Sequence, residues 1–304
     1  MAWTRIFSGI AAIAIALTMI VMGGWYFTGG LMVIVVLGQW EYFQMVKAKG
    51  IEPAAKTTLV VSPLLLVVAT LAGSFTDAAF AVAGTFICFY LLFQPKMATI
   101  ADISTSILGL FYGGWLPSYW VRLRVGLAYP LAGGDVAIAS TQLPTNSLFA
   151  TPWSSHPSTF PQALTITLLA FGCIWAADIG AYTMGKFFGR TRLSAISPKK
   201  TVEGAVFGIL GSALVAEWGA WYLDWNCWQL SGLVLGILIG VTSLLGDLTE
   251  SMMKRDAGVK DSGQIIPGHG GILDRTDSYV FTAPLVYYFV IILLPLLPRS
   301  LPWF

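Results

Sequence analysis

The chain of 304 residues carries 17 Lys or Arg and 15 Asp or Glu, is 56% apolar and has a mean hydropathy of +0.75. A water-soluble domain of this size would carry roughly 75 charged residues. The composition therefore excludes an ordinary soluble globular enzyme, a disordered chain and a disulfide scaffold, and an integral membrane protein remains.

A helix that crosses about 30 Å of hydrocarbon needs roughly 20 mostly apolar residues. In chain order, nine stretches qualify: 6–22, 26–45, 58–75, 77–95, 98–120, 162–184, 204–222, 227–247 and 277–297. The first reads as an uncleaved helix rather than a signal peptide, because a second span follows almost at once. The fifth holds Asp102 and a Gly113–Gly114 pair that suggests close packing or a bend. Between the fifth and sixth lies a long insert, 121–161, rich in Pro, Ser, Thr and Gly, which reads as a surface loop. The expected fold is an all-α integral membrane protein, a polytopic bundle of about nine transmembrane helices. Its parts are N-terminal transmembrane helices over 1–128, a non-cytoplasmic loop insert over 129–161, and a C-terminal catalytic region over 162–304 with charged cytoplasmic loops.

Lys and Arg in the loops set the orientation. With the N-terminus in the cytoplasm, 14 of the 17 fall on the cytoplasmic side, and only Arg122, Arg124 and Arg299 fall on the other. Cys88, Cys173 and Cys227 are far apart, form no metal-type spacing with histidine, and read as small apolar core residues.

Two cytoplasmic segments concentrate the scarce charge. Residues 178–204 hold seven charged side chains and residues 247–277 hold ten, together 17 of the 32. Six acids within the second segment are not explained by topology, since acids contribute little to orientation. Metal binding, ion pairing and proton chemistry are the candidate causes.

If the eighth span continues as a helix, Asp247, Glu250, Ser251 and Lys254 share one face. That stripe suits metal and phosphate, or else an ion-pair ladder on a solvated helix end. Next comes the loop Asp261-Ser-Gly-Gln-Ile-Ile-Pro-Gly-His-Gly-Gly271. Its glycines, Gly268, Gly270 and Gly271 among them, let backbone N–H groups converge on an anion. A helix is predicted to start at about Leu273, with its N-terminus as a phosphate site and with Asp274 and Asp277 one turn apart. His269 reads as a loop residue: a phosphate donor, a proton carrier or a structural hydrogen-bonder.

In the first segment, Asp178 lies inside an apolar run, where an ionisable group is costly and by default functional or paired. Asp102, Asp178 and Glu217 are the acids singled out within span-like stretches. Tyr182 shares a face with Asp178, Pro198 breaks the backbone, and Lys199, Lys200 and Thr201 offer donors to phosphate oxygens. Glu203 opens the seventh span, as a substrate contact or as a cap.

The run Ser251–Ser278, S-x-x-K-R-x-x-G-V-K-D-S-G-x-x-x-P-G-H-G-G-x-x-D-R-x-D-S, is similar to the signature of the phosphatidate cytidylyltransferases, the CDP-diacylglycerol synthases. The upstream D-I-G-A-Y-x-x-G-K-x-F-G-R and I-S-P-K-K-T-x-E-G resemble the same family, so the likeness covers about residues 175–280. It implies CTP and phosphatidate as substrates, CDP-diacylglycerol and pyrophosphate as products, and Mg²⁺ as cofactor, with a second ion, divalent or monovalent, left open. It also implies a site at the cytoplasmic interface of a multi-pass cell membrane protein, with the lipid bilayer as partner, no nucleic acid, and a homodimer allowed. Built on the residues and the resemblance together, the expected catalytic set is Asp247, Lys254, Asp274, Arg275 and Asp277. Asp247, Asp274 and Asp277 are the expected metal ligands. The expected substrate contacts are Asp178, Tyr182, Lys199, Lys200, Thr201, Glu203, Ser251, Arg255, Lys260, Asp261, Gly268, His269, Gly270 and Gly271. A CTP-dependent lipid kinase is the nearer rival and a membrane transporter the farther one. Pyrophosphate as product, rather than CDP, separates the transferase from the kinase.

Overall fold

The computed structural model describes residues 2–126, 162–266 and 270–298, with side chains from residue 9 onward. Each apolar stretch falls on a helix. These are α1 (Ala2–Met22), α2 (Gly24–Ala48), α3 (Ala55–Leu71), α4 (Thr76–Leu92), α5 (Ile100–Leu110) with α6 (Leu116–Arg124), α7 (Gln162–Phe188), α8 (Val202–Tyr222), α9 (Trp228–Asp256) and α10 (Leu273–Tyr288). The last continues through a π-helical turn, Phe289–Leu293, to Leu296. Among the described residues there is no β-strand, only isolated bridges at Arg192–Thr201 and Ile266–Gly270. Six of the helical stretches are long and apolar enough to cross a membrane, while α1 and α3 are shorter apolar helices. The chain is an all-helical, multi-pass membrane protein. Residues 127–161, most of the polar insert, lie outside the described residues.

The fifth stretch is not one regular helix. Phe111–Trp115 forms a π-helical turn between α5 and α6. The Gly113–Gly114 pair sits in it, and a Cβ at Gly113 would overlap Gln39 while one at Gly114 would press on Ser62. Gln39 Nε2 donates to Ser62 Oγ (2.6 Å) and to the Gly109 carbonyl (2.7 Å), which seats α2 against this turn. Asp102 is a cap rather than a mid-span acid. It closes a capping box with Thr99 at the start of α5 and accepts from Glu52 N at 2.7 Å.

The described residues divide into two compact units. One holds 2–126 with 253–266 and 270–276, and the other holds 162–252 with 277–298. In the first, α3 packs with α2, α4, α5 and α6 around Leu65, Ile87, Leu91 and Leu110. Arg122 and Arg124 of this unit are buried. Arg122 pairs with Asp77 (3.2 Å) over the Tyr119 ring, and Arg124 donates to the carbonyls of Ile20 (2.7 Å) and Val21 (3.1 Å) at the end of α1.

The second unit is built on small residues. Gly204 and Gly208 of α8 face the Ala181 and Ala177 carbonyls of α7 so closely that a Cβ at either would lie 2.7 Å from oxygen. On α9, Gly232, Gly236 and Gly240 recur every four residues, and a Cβ on each would strike the α8 backbone at Glu217, Ala213 and Ile209. Such small-xxx-small stripes let helix backbones approach where no hydrophobic effect drives helices together in lipid.

Candidate active site

Helix α9 continues beyond the apolar stretch to Asp256, as its stripe of polar residues requires. Gly246 allows α9 to press against α10: a Cβ there would lie 2.6 Å from the Asp277 carbonyl. Asp247, Glu250 and Asp277 therefore converge, with one carboxylate oxygen from each within 4.8 Å of the others. Glu250 is fully buried and Asp277 is 8% exposed. Carboxylates this close repel one another unless a proton or a cation joins them. An all-carboxylate donor set suits a hard divalent cation that prefers oxygen. Ser251, nearly buried, donates to Asp247 Oδ1 at 3.4 Å.

Lys200 reaches the same group. The α7–α8 connection folds into a tight loop in which Leu193 N donates to the Lys200 carbonyl (2.9 Å) and Val202 N to the Thr191 carbonyl (2.9 Å). The Lys200 ammonium forms an ion pair with Asp247 Oδ2, while Lys199 is exposed. Thr201 and Glu203 serve the loop itself. Thr201 is the N-cap of α8, accepting from Gly204 N at 3.1 Å. Glu203 accepts from the amides of Arg190 and Thr191 at 3.1 Å each. Asp178 and Tyr182 are exposed side chains of α7.

In the first unit, Asp274 is held by an ammonium, a hydroxyl and two amides. Its Oδ1 accepts from Lys254 Nζ at 2.6 Å. Its Oδ2 accepts from Ser262 N (3.0 Å), Ser262 Oγ (3.0 Å) and Gly271 N (2.9 Å). Helix α10 begins at Leu273, where the sequence pattern puts it, but the amides at its start are not open to phosphate. Glu41 of α2 accepts from Ile272 N (3.0 Å), Leu273 N (2.9 Å) and Ser262 Oγ (2.9 Å). Gly270 has φ +87°, a conformation that favours glycine, and Gly271 is buried beside it. Arg255, exposed, donates to the Val259 carbonyl at 3.1 Å. Lys260, Asp261 and Arg275 are exposed, and Gly268 and His269 lie outside the described residues.

Sequence reasoning left out Glu41 and Ser262, and placed Glu250 on the polar stripe without making it a ligand. Glu41 carried the signal used for Asp178, a lone acid within an apolar stretch. Ser262 was inside the quoted loop and was passed over for its neighbour Asp261.

Comparison with known proteins gives a consistent picture. A model of the "Cytidylyltransferase family" matches residues 3–293. A phosphatidate cytidylyltransferase of Synechocystis is 64% identical over 96% of this chain and 98% of its own length. Phosphatidate cytidylyltransferase 4, chloroplastic, of Arabidopsis thaliana is 39% identical over 89% of this chain and 68% of its own. A phosphatidate cytidylyltransferase of Staphylococcus saprophyticus is 46% identical over 128 residues, 41% of this chain and 48% of its own.

Proposed function

The chain belongs to the cytidylyltransferase family, and from that premise we propose that it transfers CMP from CTP to phosphatidate, forming CDP-diacylglycerol and pyrophosphate. The observation that carries this reading is the convergence of Asp247, Glu250 and Asp277 with Lys200 beside them. This is an anionic group suited to a hard cation, with one lysine suited to phosphate beside it.

In the reaction, a phosphatidate oxygen attacks the α-phosphorus of CTP, and the bond to the β-phosphate oxygen breaks to release pyrophosphate. The attacking oxygen is already anionic, so no protein nucleophile is required. Two anions must meet, so the protein's task is alignment and charge neutralisation. Asp247, Glu250 and Asp277 would hold Mg²⁺, which when bound neutralises phosphate charge and polarises the phosphoryl group. Lys200, Lys254, Arg255 and Arg275 are the proposed phosphate-binding cations, with Lys199 available from its exposed position. Asp274, an expected metal ligand, would act by holding Lys254 and the Gly271 amide, both of which donate to it. The proposed setting is the cytoplasmic face of the cell membrane, in keeping with the 14 basic residues assigned to that side.

The test is transfer from radiolabelled CTP to phosphatidate in detergent micelles. Labelled CDP-lipid and pyrophosphate are expected, with activity lost in EDTA and restored by Mg²⁺. Release of CDP with a phosphorylated lipid would instead make the protein a lipid kinase. Asp178→Ala is expected to lower turnover without loss of detergent stability. An active but unstable variant would make Asp178 a structural partner.

A further inference from the structure

We propose that Glu41, in the second helix and more than 200 residues from the signature loop, is a positioning residue of the active site. It sets the start of α10 and, through Ser262 and Asp274, the ammonium of Lys254. The inference rests on the transferase reading above for its kinetic consequence, and on geometry within one unit for its structural one.

Glu41 is 2% exposed in the middle of an apolar stretch, yet both of its oxygens are used. Oε1 accepts from Ile272 N, and Oε2 accepts from Leu273 N and Ser262 Oγ, at 2.9 to 3.0 Å. A carboxylate at the first amides of a helix is stabilised by the hydrogen bonds and by the positive end of the helix dipole. The Ser262 hydroxyl has one hydrogen and two acceptors in reach, Glu41 Oε2 at 2.9 Å and Asp274 Oδ2 at 3.0 Å, so it couples the two carboxylates. Asp274 in turn holds Lys254 at 2.6 Å, leaving that side chain 11% exposed.

The glycines of the loop corroborate the arrangement. A Cβ at Gly263 or at Gly271 would overlap the Glu41 carboxylate, so the loop is shaped around it. The same contacts account for what the start of α10 does not do. The Ile272 and Leu273 amides are taken by Glu41 and the Asp274 amide by Ser262, so these three do not hold substrate phosphate.

Glu41→Gln keeps the size but removes the charge and one acceptor, setting an amide NH₂ against a backbone N–H. The full-length protein in detergent is expected to fold, with faster hydrogen exchange at Ile272 and Leu273 and a kcat about tenfold to a hundredfold lower, as for other groups that orient a contact residue. KM for CTP should change by less than about threefold. Ser262→Ala should act in the same direction, and the double variant should be no slower than the worse single one. Should Glu41→Gln fail to fold, Ser262→Ala alone decides the matter. Faster exchange at Gly271–Asp274 with unchanged kcat would overturn the proposal, as would additive losses in the double variant. A wild-type chain without transfer activity would sink the transferase reading, while the exchange experiment would still report on Glu41.

Discussion

Asp247→Asn, Glu250→Gln and Asp277→Asn are each expected to lose transfer activity by about 100-fold or more, the several kcal/mol of charge stabilisation that a phosphate-bound cation supplies. Each should also lose binding of Mn²⁺ followed by electron paramagnetic resonance. Asp274→Asn is expected to lose activity but keep Mn²⁺ binding. The contrast follows from where the oxygens go. One oxygen from each of Asp247, Glu250 and Asp277 lies within 4.8 Å of the others, whereas the Asp274 oxygens accept from Lys254, Ser262 and Gly271. Replacing Asp274 by Asn weakens the hold on Lys254 and leaves the acid group whole. Mn²⁺ binding that survives in Glu250→Gln and vanishes in Asp274→Asn would return the metal to the aspartates alone.

The second large effect is steric. Gly236→Ala puts a methyl group into the α8 backbone at Ala213, where no flexible side chain can yield. A cost of about 2–3 kcal/mol is expected, or about 4–12 °C in thermal midpoint for a reversible unfolding. Gly29→Ala is the control, since nothing lies within 4 Å of a Cβ there. The gain in helix propensity is common to both and favours alanine by about 0.5–1 kcal/mol. Thermal scans of the two variants in one detergent should therefore move in opposite directions. A Gly236→Ala protein as stable as wild type would mean that α8 and α9 are not in backbone contact.

Much of this fold was legible in one dimension. Apolar run length gave the long helices, because lipid leaves the backbone no alternative partner for its hydrogen bonds. Helical spacing gave the extension of α9 to Asp256 and the polar stripe on it. The start of α10 near Leu273 followed from the glycines before it. The division of labour among the acids was not legible. Asp274 and Asp277 sit one turn apart in a single D-R-x-D string, and only tertiary donors distinguish them. One meets Lys254, Ser262 and Gly271, and the other meets Asp247 and Glu250. Glu41 escaped notice for a different reason. The polar group that accounts for it lies 221 residues away at Ser262, a separation that no local pattern spans.

Arg124 bears on how the chain is made. Its guanidinium closes the end of α1 by taking the carbonyls of Ile20 and Val21, and it fills the space beside Gly23 so tightly that a Cβ there would overlap it. The turn from α1 into α2 is therefore completed by a residue synthesised about a hundred positions later. At about 5–20 residues per second, the first two helices must wait roughly 5–20 s at the ribosome exit before their own connection is finished. Until then two main-chain acceptors at the end of α1 depend on water, lipid headgroups or the insertion machinery. The connection between the first two helices is thus finished only once the last residue of α6 has been translated.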